Sequence, residues 1–242
     1  ARAQANGYEA IMITVDTAVL GRRERDVRRG FTLPPKLGLG TIVDGITHPA
    51  WTWDFIRHEP ITFSNIAASR GNTGTAVTLS DFISEQFEPA LSWDDLEWFR
   101  ANWNGPIILK GVQSVADAVL AQQHGINAVA LSNHGGRQLD SAPAPLDLLA
   151  PVTQATGGTL PLICDGGIRR GSDIVKAIAL GASACTLGRS YLYGLGAAGE
   201  PGIERVLTML TDDMTRTMAL CGVRTISEIT PELLSLVPTG RI

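Results

Sequence analysis

The strongest constraint on the fold is a repeated punctuation. Five short apolar runs each stop abruptly at a polar or charged residue. The runs are Ala10–Val15, Pro106–Leu109, Ala128–Leu131, Leu160–Cys164 and Ala184–Leu187. They are followed by Asp16, Lys110, Ser132 with His134, Asp165 and Arg189. Continuous apolar runs of this length read as strands buried on both faces. Helical patterns follow four of them, over Ser114–His124, Leu146–Thr156, Ser172–Leu180 and Ile203–Leu220. Ser114 is placed to cap the first of these, and Pro145 to open the second.

Strand–helix alternation with short links implies parallel βα units. A doubly wound sheet gathers ligands at one switch point. A barrel instead brings every strand's carboxyl end to one face, and all five strand ends here carry polar groups. The expectation is therefore an α/β fold of the (β/α)8 TIM-barrel type. This chain would carry about the last five units. Its 242 residues read as one barrel domain, with a long insertion at about 30–90 after the first strand.

That insertion is rich in Gly, Pro, Thr and aromatic residues. Helices are expected near Trp51–Arg57 and Leu79–Phe87, and a turn at Gly71–Gly74. A connection of that length is usually a lid or a docking surface. Trp51, Trp53 and Phe55 fit a membrane-facing patch or local packing. Ser92–Asn102 returns to helix, with Ser92 as the expected cap.

A net charge of −4 gives no sign of a nucleic-acid partner. Cys164, Cys185 and Cys221 have no C-x-x-C spacing, which reads as small core residues in a reducing compartment and no metal site. No apolar run reaches the roughly 20 residues of a membrane span.

Asp165-Gly166-Gly167-Ile168-Arg169-Arg170-Gly171 lies between a strand and a helix, and Leu187-Gly188-Arg189 ends the next strand. Glycines admit an anion close to the backbone, and arginine and a helix N-terminus supply positive potential. The loops after a barrel's last two strands are its usual phosphate site. Lys110 is a cation at a barrel mouth, suited to a developing anion or else merely solvated. His134 is a candidate base, with Asp16 to orient it. Arg137 offers a bidentate fork to a carboxylate, and Arg22-Arg23 can add a second guanidinium. Together these describe chemistry on a small carboxylic acid beside a phosphate-held cofactor.

The string Ser132-Asn133-His134-Gly135-Gly136-Arg137-Gln138-Leu139-Asp140, with Thr14-Val15-Asp16-Thr17, Leu109-Lys110-Gly111 and the two glycine–arginine loops, resembles the FMN-dependent α-hydroxy-acid oxidase and dehydrogenase family. The motifs run in the family's order over the whole chain. Thr47-His48-Pro49-Ala50-Trp51 and Ser64-Asn65-Ile66 look like the bacterial quinone-linked L-lactate dehydrogenases.

The resemblance implies FMN at the barrel mouth, contacted by Thr14, Lys110 and Ser132. Asp165 would meet its ribityl hydroxyls, and Gly167, Arg169, Gly188 and Arg189 its phosphate. His134 would be the base supported by Asp16, and Arg137 with Arg23 would hold the carboxylate of a small L-2-hydroxy acid such as L-lactate. Electrons would pass to a quinone, to oxygen or to a cytochrome. It also implies a homo-oligomer, a tetramer, that is cytoplasmic or peripheral on the inner face of the membrane.

The family's amino-terminal part, with three strands, is absent from this sequence. Mandelate dehydrogenase and an oxygen-using oxidase are the alternatives within the family. Beyond it stand another phosphate-binding barrel of the IMP-dehydrogenase type, which leaves His134 and Arg137 without a task, and a non-catalytic FMN-binding fragment.

Overall fold

In the computed structural model, residues 1–19, 21, 23–28, 38–58 and 88–234 are described. The chain divides into two compact units. One comprises Ala1–Gly21 with Pro89–Ile242, and the other Arg22–Glu88.

The first unit opens with a short helix, α1 (Arg2–Ala5), that closes at Gly7. Five strands follow: β1 (Ile11–Thr14), β2 (Ile107–Val112), β3 (Ala128–Ser132), β4 (Leu162–Asp165) and β5 (Ala182–Thr186). All neighbouring pairs are parallel, and the spatial order is the chain order, β1 to β5. A doubly wound sheet reverses direction at its switch point; this sheet does not reverse. It is a five-strand arc of a (β/α) barrel.

The arc is held by its middle. Ile107, Leu109, Val129, Leu131, Leu162 and Cys164 are buried almost completely, and Leu149 and Val152 pack on them from the helix layer. Each such branched side chain stabilises the fold by roughly 1.5–3 kcal/mol. The outer strands are thinner: Met12 and Thr14 on β1, and Ser183 and Ala184 on β5, are exposed.

In the second unit, α2 (Glu24–Arg28), α3 (Leu39–Thr47) and α4 (Pro49–Arg57) are described. The last matches the helix expected near Trp51. The expected helix at 79–87 and turn at 71–74 lie outside the described residues. The chain returns through α5 (Asp95–Asn102), whose N-cap position is held by Asp94 without a side-chain cap bond, and not by Ser92. Ser92 instead donates its N–H and hydroxyl to Asp95 Oδ2, at 2.7 and 2.9 Å.

The outer helices are α6 (Val115–Gln123), α7 (Pro145–Ala155), α8 (Gly171–Ala179) and α9 (Arg189–Leu220). Ser114 caps α6 by accepting from Asp117 N at 3.0 Å, and Pro145 opens α7, as expected. The last helix differs from expectation. It begins at Arg189, not Ile203, and breaks at Ala198–Gly199 into two pieces. Gly194 and Gly202 bring the two pieces into backbone contact, where any Cβ would collide. Glycines that read locally as helix breakers are there for that close approach.

Candidate active site

The carboxyl ends of β2 to β5 surround a cavity of about 1220 Å³. Lys110, His134, Arg137, Asp165, Gly167, Arg169, Gly188 and Arg189 all line it. Eight of the residues expected at the site therefore meet at one mouth. Asp16 and Ser132 lie against it but are buried, with the Asp16 side chain 3% exposed. Thr14 is exposed at the end of β1, in register with Lys110. Arg23 belongs to the second unit.

Asp165 is the hub of the floor. Its Oδ2 lies 2.8 Å from Lys110 Nζ and accepts from Ser132 Oγ at 2.6 Å, and its Oδ1 accepts from Thr186 Oγ1. Burial opposes ionisation of this carboxyl. The hydrogen bonds from Lys110, Ser132 and Thr186, with the Lys110 charge, outweigh it and hold Asp165 below the usual carboxylate range. Ser132 also accepts from His134 N at 3.1 Å. Its hydroxyl is thus occupied with fastening the histidine loop to the floor. Thr186 was not expected at the site, because a threonine within a strand reads as a β-former.

The loop after β3 has an unusual backbone. His134, Gly135 and Gly136 lie at φ of 55°, 67° and 71°. A left-handed conformation costs a non-glycine residue roughly 1–2 kcal/mol. The loop is over-determined by its contacts: Asn133 Oδ1 accepts from Gly135 N at 3.0 Å, and Arg189 donates to Gly135 O at 3.0 Å. The consequence is an imidazole turned toward Asp16, with Nδ1 at 3.4 Å from Oδ1 and 3.3 Å from Oδ2. Nδ1–H directed at a carboxylate leaves Nε2 as the basic nitrogen.

Asp16 reaches this position because β2 bulges between Lys110 and Val112. Gly111 sits at the bulge with φ 101°, and a Cβ there would come within 2.6 Å of the Asp16 carboxylate. The sequence gives that glycine no visible task. Its task appears only once β1 and β2 are side by side.

An anion has a place in the same cavity. No side chain caps α9, whose N-terminus begins at Gly188-Arg189, and Gly167 and Gly188 leave open space where a Cβ would stand. Uncapped helical N–H groups beside Arg189 and Arg169 suit a phosphate. The neighbouring α8 contributes less than expected, since Asp173 Oδ2 already accepts from the N–H groups of Arg169 and Arg170, at 3.0 and 2.9 Å. Lys110 and Asp165 line the same cavity as this cradle and His134, and Arg189 joins the cradle to the histidine loop through Gly135 O. The donor set fits a phosphorylated cofactor laid across the mouth.

Residues 1–236 match the family described as FMN-dependent dehydrogenase. The chain belongs to this family. Among curated relatives, a putative L-lactate dehydrogenase of Mycobacterium tuberculosis is 41% identical over 99% of this chain and 57% of its own length. The (S)-mandelate dehydrogenase of Pseudomonas putida is 41% identical over 96% of this chain and 58% of its own. Among solved structures, that of the monotopic membrane protein (S)-mandelate dehydrogenase superposes with a TM-score of 0.87 at 39% identity. It is matched over 97% of this chain and 62% of that one. The chain thus spans about three fifths of the length of these relatives. Family members are oxidoreductases that use FMN, and the phosphate cradle and cationic floor of this chain fit that cofactor.

Proposed function

We propose that the protein oxidises a small L-2-hydroxy acid, L-lactate foremost, to the 2-oxo acid with FMN. The observation that carries this reading is the meeting of His134, backed by buried Asp16, with Arg137 and the phosphate cradle around one cavity. The relatives' names favour lactate or mandelate as the substrate class.

Arg137 would hold the substrate carboxylate through its fork, which fixes the adjacent hydroxyl toward His134. His134 Nε2 would take the hydroxyl proton. The Asp16 carboxylate would stabilise the imidazolium that forms, and its 3.3–3.4 Å separation leaves room to tighten as that charge develops. Lys110 would present fixed positive charge to the cofactor, held in place by Asp165. FMN, when bound, supplies the acceptor for the α-hydrogen and its electron pair. A phosphate-binding barrel of the isomerase type would use the cradle but not the Asp16–His134 pair.

The electron acceptor in this reading is a quinone at a membrane surface. It is supported by α3 and α4. Leu39, Ile42, Val43 and Ile46 form one exposed apolar stripe on α3, and Trp51, Trp53, Phe55 and Ile56 are exposed on α4. Trp51 stacks on Phe55 at 5.2 Å, and Arg57 lies 5.6 Å above Trp53. Such helices lie in the interfacial plane of a bilayer. Among the described residues no helix is long and apolar enough to cross one. Attachment would then be peripheral.

Anaerobic addition of L-lactate to the full-length, FMN-loaded protein should bleach the flavin absorbance. Absence of bleaching with lactate, mandelate and other short 2-hydroxy acids would sink the proposal. Faster bleaching by mandelate than by lactate would move the substrate assignment to the mandelate class.

A further inference from the structure

We infer that Gln138 is a positioning residue for the Asp16–His134 pair. This rests on the reading above that His134 is the base. Among the described residues the carboxylate of Asp16 has no close hydrogen bond to fix it: its contacts with His134 are 3.3 and 3.4 Å, and Oδ2 is buried without a hydrogen bond. Its position is set through its backbone, and Gln138 holds that backbone. The Gln138 amide donates from Nε2 to Asp16 O at 3.0 Å and to Val19 O at 2.9 Å. Its Oε1 accepts from Gly21 N at 2.9 Å. One side chain thus binds the loop after β1 at its start, middle and end.

Gln138 stands four residues beyond His134 in the loop after β3. Its amide therefore ties the loop of the base to the loop of the carboxylate. The fit is close. A Cβ on Gly21 would collide with the backbone carbonyl of Arg137 and approach Gln138 Oε1 to 2.7 Å. Two donors and one acceptor are needed at the end of a three-carbon reach, and only glutamine offers both. An ionised glutamate would lose both donors, and asparagine is a carbon short. Gly21 is also the last residue of the first unit before the chain departs into Arg22–Glu88.

The test is Gln138→Met in the full-length enzyme loaded with FMN, since methionine keeps the stem and removes all three bonds. Expected is a fall in kcat of about ten- to hundred-fold, the scale of a small misplacement of a reacting group. KM for L-lactate and FMN per chain, read from flavin absorbance, should be unchanged. Adding Gln138→Met to Asp16→Asn should lower kcat no further, because both remove the same support.

An unchanged kcat, or effects that multiply independently of Asp16→Asn, would overturn the inference. So would a loss expressed in KM or in FMN content. Gln138→Glu is the second variant, with the same expected outcome, and failure of both variants to retain FMN would make Gln138 a folding residue instead. If Asp16→Asn alone leaves kcat intact, the base assignment itself falls and takes this inference with it. If Asp16→Asn lowers kcat while Gln138→Met does not, only the inference falls.

Discussion

Lys110 Nζ lies 2.8 Å from Asp165 Oδ2, joining the ends of β2 and β4 beneath the cavity. The strand between them contributes Ser132, which donates to the same oxygen. Both charged side chains are mostly shielded, 21% and 17% exposed. Replacing Lys110 by Met would leave a largely buried carboxylate with hydroxyl donors alone. Removing one partner of such a pair is expected to cost about 1–3 kcal/mol, less than a fully buried pair because some solvent reaches it. Urea denaturation should show the loss, and FMN affinity should fall with it.

The same carboxyl predicts an acid limit. Asp165 is held below its ordinary value of 3.8. A carboxyl depressed on folding binds fewer protons in the native state than in the unfolded chain. Its contribution is therefore complete above about pH 4 and is lost as the pH falls through the depressed value. Asp165→Asn should be less stable than the parent at pH 6, and the gap should close as both are titrated below pH 4. A gap that widens in acid would contradict this sign.

Gly111→Ala tests the bulge that admits Asp16. Alanine at φ 101° is strained, and its methyl would press on the carboxylate at 2.6 Å. A loss of at least about 1 kcal/mol in stability is expected. Turnover should fall by about a hundred-fold through displacement of Asp16. Retained FMN with lost turnover is the expected pattern. A fully active variant would show that Asp16 does not depend on this gap.

Vesicle sedimentation can test the surface on α3. Ile42→Asp with Ile46→Asp places two charges within its apolar stripe while touching no buried residue. Binding of the full-length protein to anionic vesicles should be lost, with oxidation of the hydroxy acid by a soluble acceptor unaffected. Undiminished sedimentation would show that the α3 stripe is not the surface that meets the membrane.

Much of this arrangement is legible in the sequence. Parallel strands buried on both faces announce themselves as apolar runs, and the residue ending each run falls on the cavity face by topology alone. Lys110 and Asp165 could be placed that way, and His134 and Arg137 through the loop that follows β3. The less visible residues act through partners remote in sequence. Gln138 bonds to Asp16, 122 positions away, and carries no signal until the two loops are adjacent. Thr186 and Gly111 likewise gain meaning from neighbouring strands. β5 begins at Ala182, two residues ahead of the apolar run at Ala184–Leu187, and Ala182-Ser183 lacks the apolar bulk that would mark that start. The start of α9 was hidden by Gly194, Gly196, Gly199 and Pro201: Gly199 does break the helix, while Gly194 is kept for the backbone contact between its two pieces.

His134 at φ 55° sets chemistry against comfort. Every neighbour of the imidazole loop works to keep a side-chain-bearing residue where glycine would rest without strain. It follows that His134→Gly should unfold at a higher temperature than His134→Ala, by an amount equivalent to roughly 1 kcal/mol, and under the proposed function neither should turn over substrate. If so, the loop is a spot where thermal robustness and reactivity pull in opposite directions. Selection for heat tolerance alone, applied to this protein, would then be expected to replace His134 by glycine.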